Sequence, residues 1–128
     1  MKKIFVTRRL LKENEDKLKE LFDVTLNTND KIYKPEEIIE QSKGFDGILS
    51  SVTDPINAET ISKLSDSIKI IANGAVGFGN IDIEAARKKN ITVTNTPDVL
   101  TDATADIQIL LLLGASRKAY EGRLAAEK

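Results

Sequence analysis

The feature that most constrains this chain is an alternation. Five short apolar runs, at residues 3–7, 23–26, 46–50, 68–72 and 91–94, are separated by segments whose apolar residues recur at helical spacing. Runs of that length read as strands buried on both faces, and strand–helix alternation builds a parallel sheet with right-handed crossovers and helices on its faces. The expected fold is therefore α/β: a flavodoxin-like doubly wound sheet of five parallel strands in the order 2-1-3-4-5. With 128 residues, 41% of them hydrophobic, the chain is long enough to close one core of that size.

Local signals place the helices. Leu10, Leu11, Leu18, Leu21 and Phe22 form the apolar stripe of the first, with charged residues on its wet face. Pro35 opens the second as a first-turn proline, Ile38, Ile39 and Phe45 are its apolar residues, and Gly44 is its stop. Asn57 is suited to cap the third, and Asp82 sits at the N-terminus of the fourth, where its charge suits the dipole. From about Thr101 the pattern predicts one long apolar helix, because Gln108 is the only polar side chain between Ile107 and Ala115. A helix apolar around its whole circumference must be covered on more than one side, either inside a core or at an interface. Its place after the last strand favours the interface.

Composition narrows the chemistry. There is no Cys and no His, which excludes disulfides, thiol nucleophiles, Cys/His zinc sites and imidazole bases; no metal site is expected. Nineteen basic against 20 acidic residues give a net charge of −1, so no field draws nucleic acid or an anionic membrane. No apolar run approaches bilayer length, and a cytoplasmic location is the expectation.

Ligands of such sheets bind beyond the carboxyl ends of the strands, so the loops beginning at Thr7, Ser50, Asn73 and Thr94 share the rim where function belongs. The stretch GAVGFG at 74–79 puts three glycines directly after a strand. Bare backbone can turn sharply there and aim its N–H groups at a carboxylate or phosphate, although taken by itself such a loop is more often a tight strand-to-helix connection. Its order is G-x-x-G-x-G, not the dinucleotide G-x-G-x-x-G. Ser50, Ser51 and Thr53 can donate hydrogen bonds to a ligand or serve as ordinary loop residues. Arg8 and Arg9 can hold an anion or pair at the surface. A phosphoacceptor receiver domain would need acidic residues where Thr7, Arg8, Arg9 and Ser50 stand, so that function is excluded.

Read together, IIANGAVGFGNID at 70–82, ITVTNTPDVLTDATAD at 91–106 and the leucine run at 110–113 resemble the D-isomer-specific 2-hydroxyacid dehydrogenases, the glyoxylate and hydroxypyruvate reductase branch in particular. The resemblance runs from about residue 1 to 120. It implies that residues 1–100 are a flavodoxin-like substrate domain and 101–128 an interdomain or dimerisation helix, the coenzyme domain being absent from this chain. It also implies that the amides of Val76 and Gly77 hold the substrate carboxylate, that the loop at Val52 and Thr53 closes over the substrate, and that Thr104 lies against the nicotinamide end of the cofactor. At Gly74 the family commonly carries a larger side chain, and at Gly79 an Asp, so this loop is barer than the pattern.

The family's G-x-G-x-x-G fingerprint, its substrate-clamping Arg and its Glu–His pair fall outside the matched stretch. The expectation is a substrate domain without catalytic residues, inactive alone and binding no cofactor by itself. NAD(P) serves the parent family, and a small 2-oxo acid is the candidate ligand. Two other expectations stand beside it: a module that homodimerises through Ile107, Leu111 and Leu112, and a weak carboxylate or phosphate binder without catalysis.

Overall fold

The computed structural model of the protein describes residues 1–127; Lys128, the last residue of the expected C-terminal segment, lies outside them. The strands are β1 Lys3–Val6, β2 Asp23–Thr25, β3 Gly47–Ser50, β4 Ile70–Asn73 and β5 Thr92–Thr94. All pair in parallel, in the order β2-β1-β3-β4-β5, as the alternation predicts. The helices are α1 Lys12–Leu21, α2 Pro35–Gln41, α3 Ala58–Lys63, α4 Ile83–Lys88, α5 Thr101–Ser116 and α6 Ala119–Ala126. The chain divides into two compact units, Met1–Pro97 and Asp98–Lys128.

In the first unit the strand register builds the core. Phe5, Ile48, Ile71 and Val93 are neighbours across four strands. Because side chains alternate along a strand, one row faces one side of the sheet. That row packs against Ile38, Ile61 and Ala86 of α2, α3 and α4, and α3 lies between α2 and α4. The caps form where the sequence puts them: the Asn57 side chain accepts from the Thr60 amide at 2.9 Å and Asp82 from the Ala85 amide at 2.8 Å. Gly44, just past α2, has a φ of +78°, which a side chain would strain.

The adjacent row, Ile4, Gly47 and Ile70, faces the other side. There Leu18 and Phe22 meet Ile4, Leu49, Ile70 and Ala72 around a recess of about 390 Å³. The expected stripe of α1 is only half used: Leu11 is its N-cap residue and exposed, Leu21 is exposed, and no residue of the helix is buried. No helix of the first unit flanks α1 on this face, so within that unit its outer leucines have no helix to pack on. A Cβ on Gly47 would stand 2.8 Å from Ile70 Cγ2 and 3.1 Å from Ile4 Cδ1. Gly47→Val is therefore expected to lower stability by about 1–3 kcal/mol, an overpacking cost that chemical denaturation measures.

In the second unit the expected single long helix is two helices. Lys118 takes left-handed backbone angles, φ +49° and ψ +48°, and separates α5 from α6. Gly114 and Gly122 lie inside helices and end neither. Among the described residues no helix is long and apolar enough to cross a membrane, and no group of three or more acidic side chains is placed to hold a metal ion.

Candidate functional site

The loops after β1, β3 and β4 meet at the carboxyl end of the sheet. Directly after β4, residues 74–79 carry their glycines at negative or extended φ, since none of the three takes a left-handed angle. The glycines serve by what they leave out. A Cβ on Gly77 or Gly79 would meet nothing within 4 Å, so the backbone there is open to a ligand.

The orientation of that backbone follows from its carbonyls. Ala75 O accepts from the Thr96 amide at 3.0 Å, Val76 O from Asn95 Nδ2 at 2.8 Å and Gly77 O from Asn73 Nδ2 at 2.9 Å. In a trans peptide the N–H of the next residue points opposite to the carbonyl. The amides of Val76 and Gly77 are thus turned away from the Asn95–Thr96 segment. Among the described residues neither donates a hydrogen bond within the protein. Two adjacent exposed donors without partners are left to water or to a ligand, because a polar group unpaired within the protein must be satisfied from outside it.

The neighbouring wall of the rim is the loop after β3, whose Ser50 O accepts from the Gly74 amide at 2.8 Å. Val52 and Thr53 are exposed. Thr53 Oγ1 accepts from Arg8 Nη1 at 2.8 Å, and the same guanidinium donates Nε and Nη2 to Asp30 at 2.8 and 2.9 Å. The Arg9 amide adds a bond of 3.0 Å to Asp30. The side chain of Arg8 is therefore committed to Asp30 and Thr53 and is not a free anion clamp. Ser50 is not a ligand donor either: it is buried and donates to Asn73 Oδ1 at 3.1 Å.

Arg8 and the Arg9 amide hold the Asp30 carboxyl well below the usual carboxylate range, and Asp30 in turn raises Arg8. Glu37 and Asp46 are lowered too, first by side-chain bonds from Lys31 and Lys2. A carboxylate depressed in the folded state adds stability above its unfolded value and loses it as pH falls towards the folded one. The urea midpoint is expected to be flat from pH 7 to about 5 and to fall below about 4. Asp30→Asn should shallow that fall; an unchanged slope would remove Asp30 from the account.

Thr104 belongs to the second unit, on α5, where it is exposed and its amide donates to Leu100 O at 2.8 Å. Ile107, Leu111 and Leu112 are exposed at 54%, 65% and 69%. The fold thus brings the 52–53 and 76–77 loops to one rim. Asn73, Asn80, Asn95 and the buried Asp54, which hold those loops, were not visible as site residues; asparagines clustered at strand ends were the available signal.

Residues 4–124 match the sequence pattern described as D-isomer specific 2-hydroxyacid dehydrogenase, catalytic domain. A glyoxylate reductase of Korarchaeum cryptofilum is 40% identical over 119 residues, 93% of this chain and 36% of that protein. Among solved structures, a protein of Thermus thermophilus superposes with a TM-score of 0.84 at 36% identity, over 98% of this chain and 40% of that one. An NAD+-bound 3-phosphoglycerate dehydrogenase of Entamoeba histolytica does so with a TM-score of 0.77 at 28% identity, over 93% and 40%. The chain spans a little over a third of the length of the curated relatives it matches. By that match over nearly its whole length, the chain belongs to the D-isomer specific 2-hydroxyacid dehydrogenase family.

Proposed function

We propose that residues 1–100 form the flavodoxin-like substrate domain of an NAD(P)-dependent 2-hydroxyacid dehydrogenase, residues 101–128 supplying an apolar interdomain or dimerisation segment. The observation that carries this reading is the pair of unpartnered amides at Val76 and Gly77, on the same rim as the loop with Val52 and Thr53. They suit the carboxylate of a small 2-oxo acid such as glyoxylate. Hydride transfer to such an acid also needs a proton donor for the carbonyl oxygen, and a chain without His has no imidazole for it.

The residues present do not fit a dinucleotide. The one glycine-rich loop has the order G-x-x-G-x-G and its glycines take no left-handed angle, and the family resemblance implies a cofactor contact for Thr104 alone. No step is derived through that group. Mixed with NADH and glyoxylate, hydroxypyruvate or pyruvate, the purified chain is expected to oxidise no NADH, and sustained turnover would overturn this part of the reading. In an NMR titration with glyoxylate, amide shifts are expected at Val76, Gly77 and 51–53, with weak, millimolar affinity; shifts spread evenly over the sheet would refute the pocket.

A second reading has its own observation. The side chains of Ile107, Ile109, Leu110, Leu111, Leu112 and Leu113 are all more than half exposed, a contiguous apolar surface of the kind that marks an interface. It supports association of two copies through α5, compatible with the first reading.

A further inference from the structure

At the strand ends Ser50 and Asn73 tie the two walls of the rim together, and beyond them the Asn80 side chain joins the loops themselves. Asn80 Nδ2 donates to the carbonyls of Ser51 and Asp54, at 3.0 and 3.1 Å. Its Oδ1 accepts from Asn73 Nδ2 at 3.2 Å, and Asn73 passes its other bond to Gly77 O. The Asn80 backbone is fixed as well, its carbonyl accepting from the Ile56 amide at 2.9 Å. A carboxamide with both donors and its acceptor committed has one orientation; turned over, its oxygen would face two carbonyls.

Beneath the same loop lies Asp54, which is fully buried. Its Oδ2 accepts from the Thr7 hydroxyl and from the Ser51 amide at 2.7 Å, and its Oδ1 is buried with no partner among the described residues. Thr7, Asp54, Ser51, Asn80, Asn73 and Gly77 therefore form a continuous set of hydrogen bonds from the end of β1, through the loop after β3, to the amide-bearing loop after β4. Buried and half-buried bonds of this kind reinforce one another, and the loss of one member leaves its neighbours unpaired. Asn80 is the member that crosses from one wall to the other.

We propose that Asn80 is a positioning residue that couples the two walls of the rim pocket. It sets the loop carrying Val52 and Thr53 against the amides of Val76 and Gly77, so that an anion seated on those amides is registered at 51–53. The proposal rests on the pocket reading above. Asn80 touches no ligand in it; it acts through the two loops.

Asn80→Asp tests it in the full chain. The substitution keeps the size and the acceptor for Asn73 but replaces two donated bonds by oxygen facing oxygen. Without ligand, amide hydrogen exchange is expected to speed up at Ser51 and Asp54 and to stay unchanged at Phe5, Ile48 and Ile71. Titrated with glyoxylate, the wild type should shift Val76, Gly77 and 51–53 with one common affinity. The variant should keep the shifts at Val76 and Gly77, lose those at 51–53, and bind about fivefold or more weakly, the scale of ordinary site-to-site coupling. Asn80→Ser, which adds no charge, is read the same way if Asn80→Asp does not fold. Wild-type shifts at Val76 and Gly77 with an unchanged 51–53 response in the variants would overturn the coupling alone. Absence of any wild-type shift at Val76 and Gly77 would overturn the pocket reading and the proposal with it.

Discussion

Phe5→Ala is expected to lower the stability of the sheet unit by about 3–5 kcal/mol, the usual cost of emptying a buried aromatic site. Phe5 is 2% exposed and sits at one end of the cross-sheet row with Ile48 and Ile71. Its ring lies 5.5 Å from that of Tyr33 and 5.8 Å from that of Phe45. Removal opens a space that the stiff, β-branched isoleucines around it cannot refill by changing rotamer. Domains of this size keep a margin of about 5–15 kcal/mol, so the variant should stand near the edge of folding. At roughly 4–8 °C per kcal/mol the melting temperature should drop by at least about 12 °C. Leu21→Ala, at a residue 58% exposed, is the control and should change stability by no more than about 0.5 kcal/mol. A loss at Phe5 no larger than that of the control would mean that the β1 row is not the core.

The elements were legible because each has a local cause. Strand positions follow from apolar runs of fixed length, and Pro35, Asn57 and Asp82 mark helix starts through φ restriction and capping, so these positions agree with the structure. Sheet order was legible as the order favoured for five alternating strands joined by right-handed crossovers. What was hidden depends on partners far away in sequence. Nothing near Asn80 announces that its carboxamide reaches Ser51 and Asp54, 29 and 26 residues earlier. Nothing near Arg8 announces Asp30. The bend at Lys118 is hidden for a different reason: Arg117 and Lys118 are good helix formers, and a left-handed lysine costs only about 1–2 kcal/mol. The glycine loop was legible as open backbone, but the direction of its amides came from Asn73, Asn95 and Thr96, whose bonds turn the carbonyls away.

Leu111→Lys together with Leu112→Lys is expected to abolish self-association through α5 and to leave the fold of the sheet unit intact. No residue of α5 is buried, so nothing in the structure depends on these two side chains for packing. Exposed, they are the least sheltered of the apolar run, at 65% and 69%. Burying one leucine in a contact contributes about 1.5–3 kcal/mol, and in a two-fold symmetric contact each position counts once on each copy. Loss of even two such burials, about 3 kcal/mol at the lower bound, weakens association by roughly a hundredfold at 1.4 kcal/mol per factor of ten. A lysine placed there adds the cost of desolvating a charge. Sedimentation equilibrium across the micromolar range should therefore show a concentration-dependent dimer for the wild type and a monomer for the double variant, with matching far-ultraviolet dichroism and matching urea midpoints. A wild type that stays monomeric throughout that range, or a double variant that still dimerises, would show that α5 is not the contact surface.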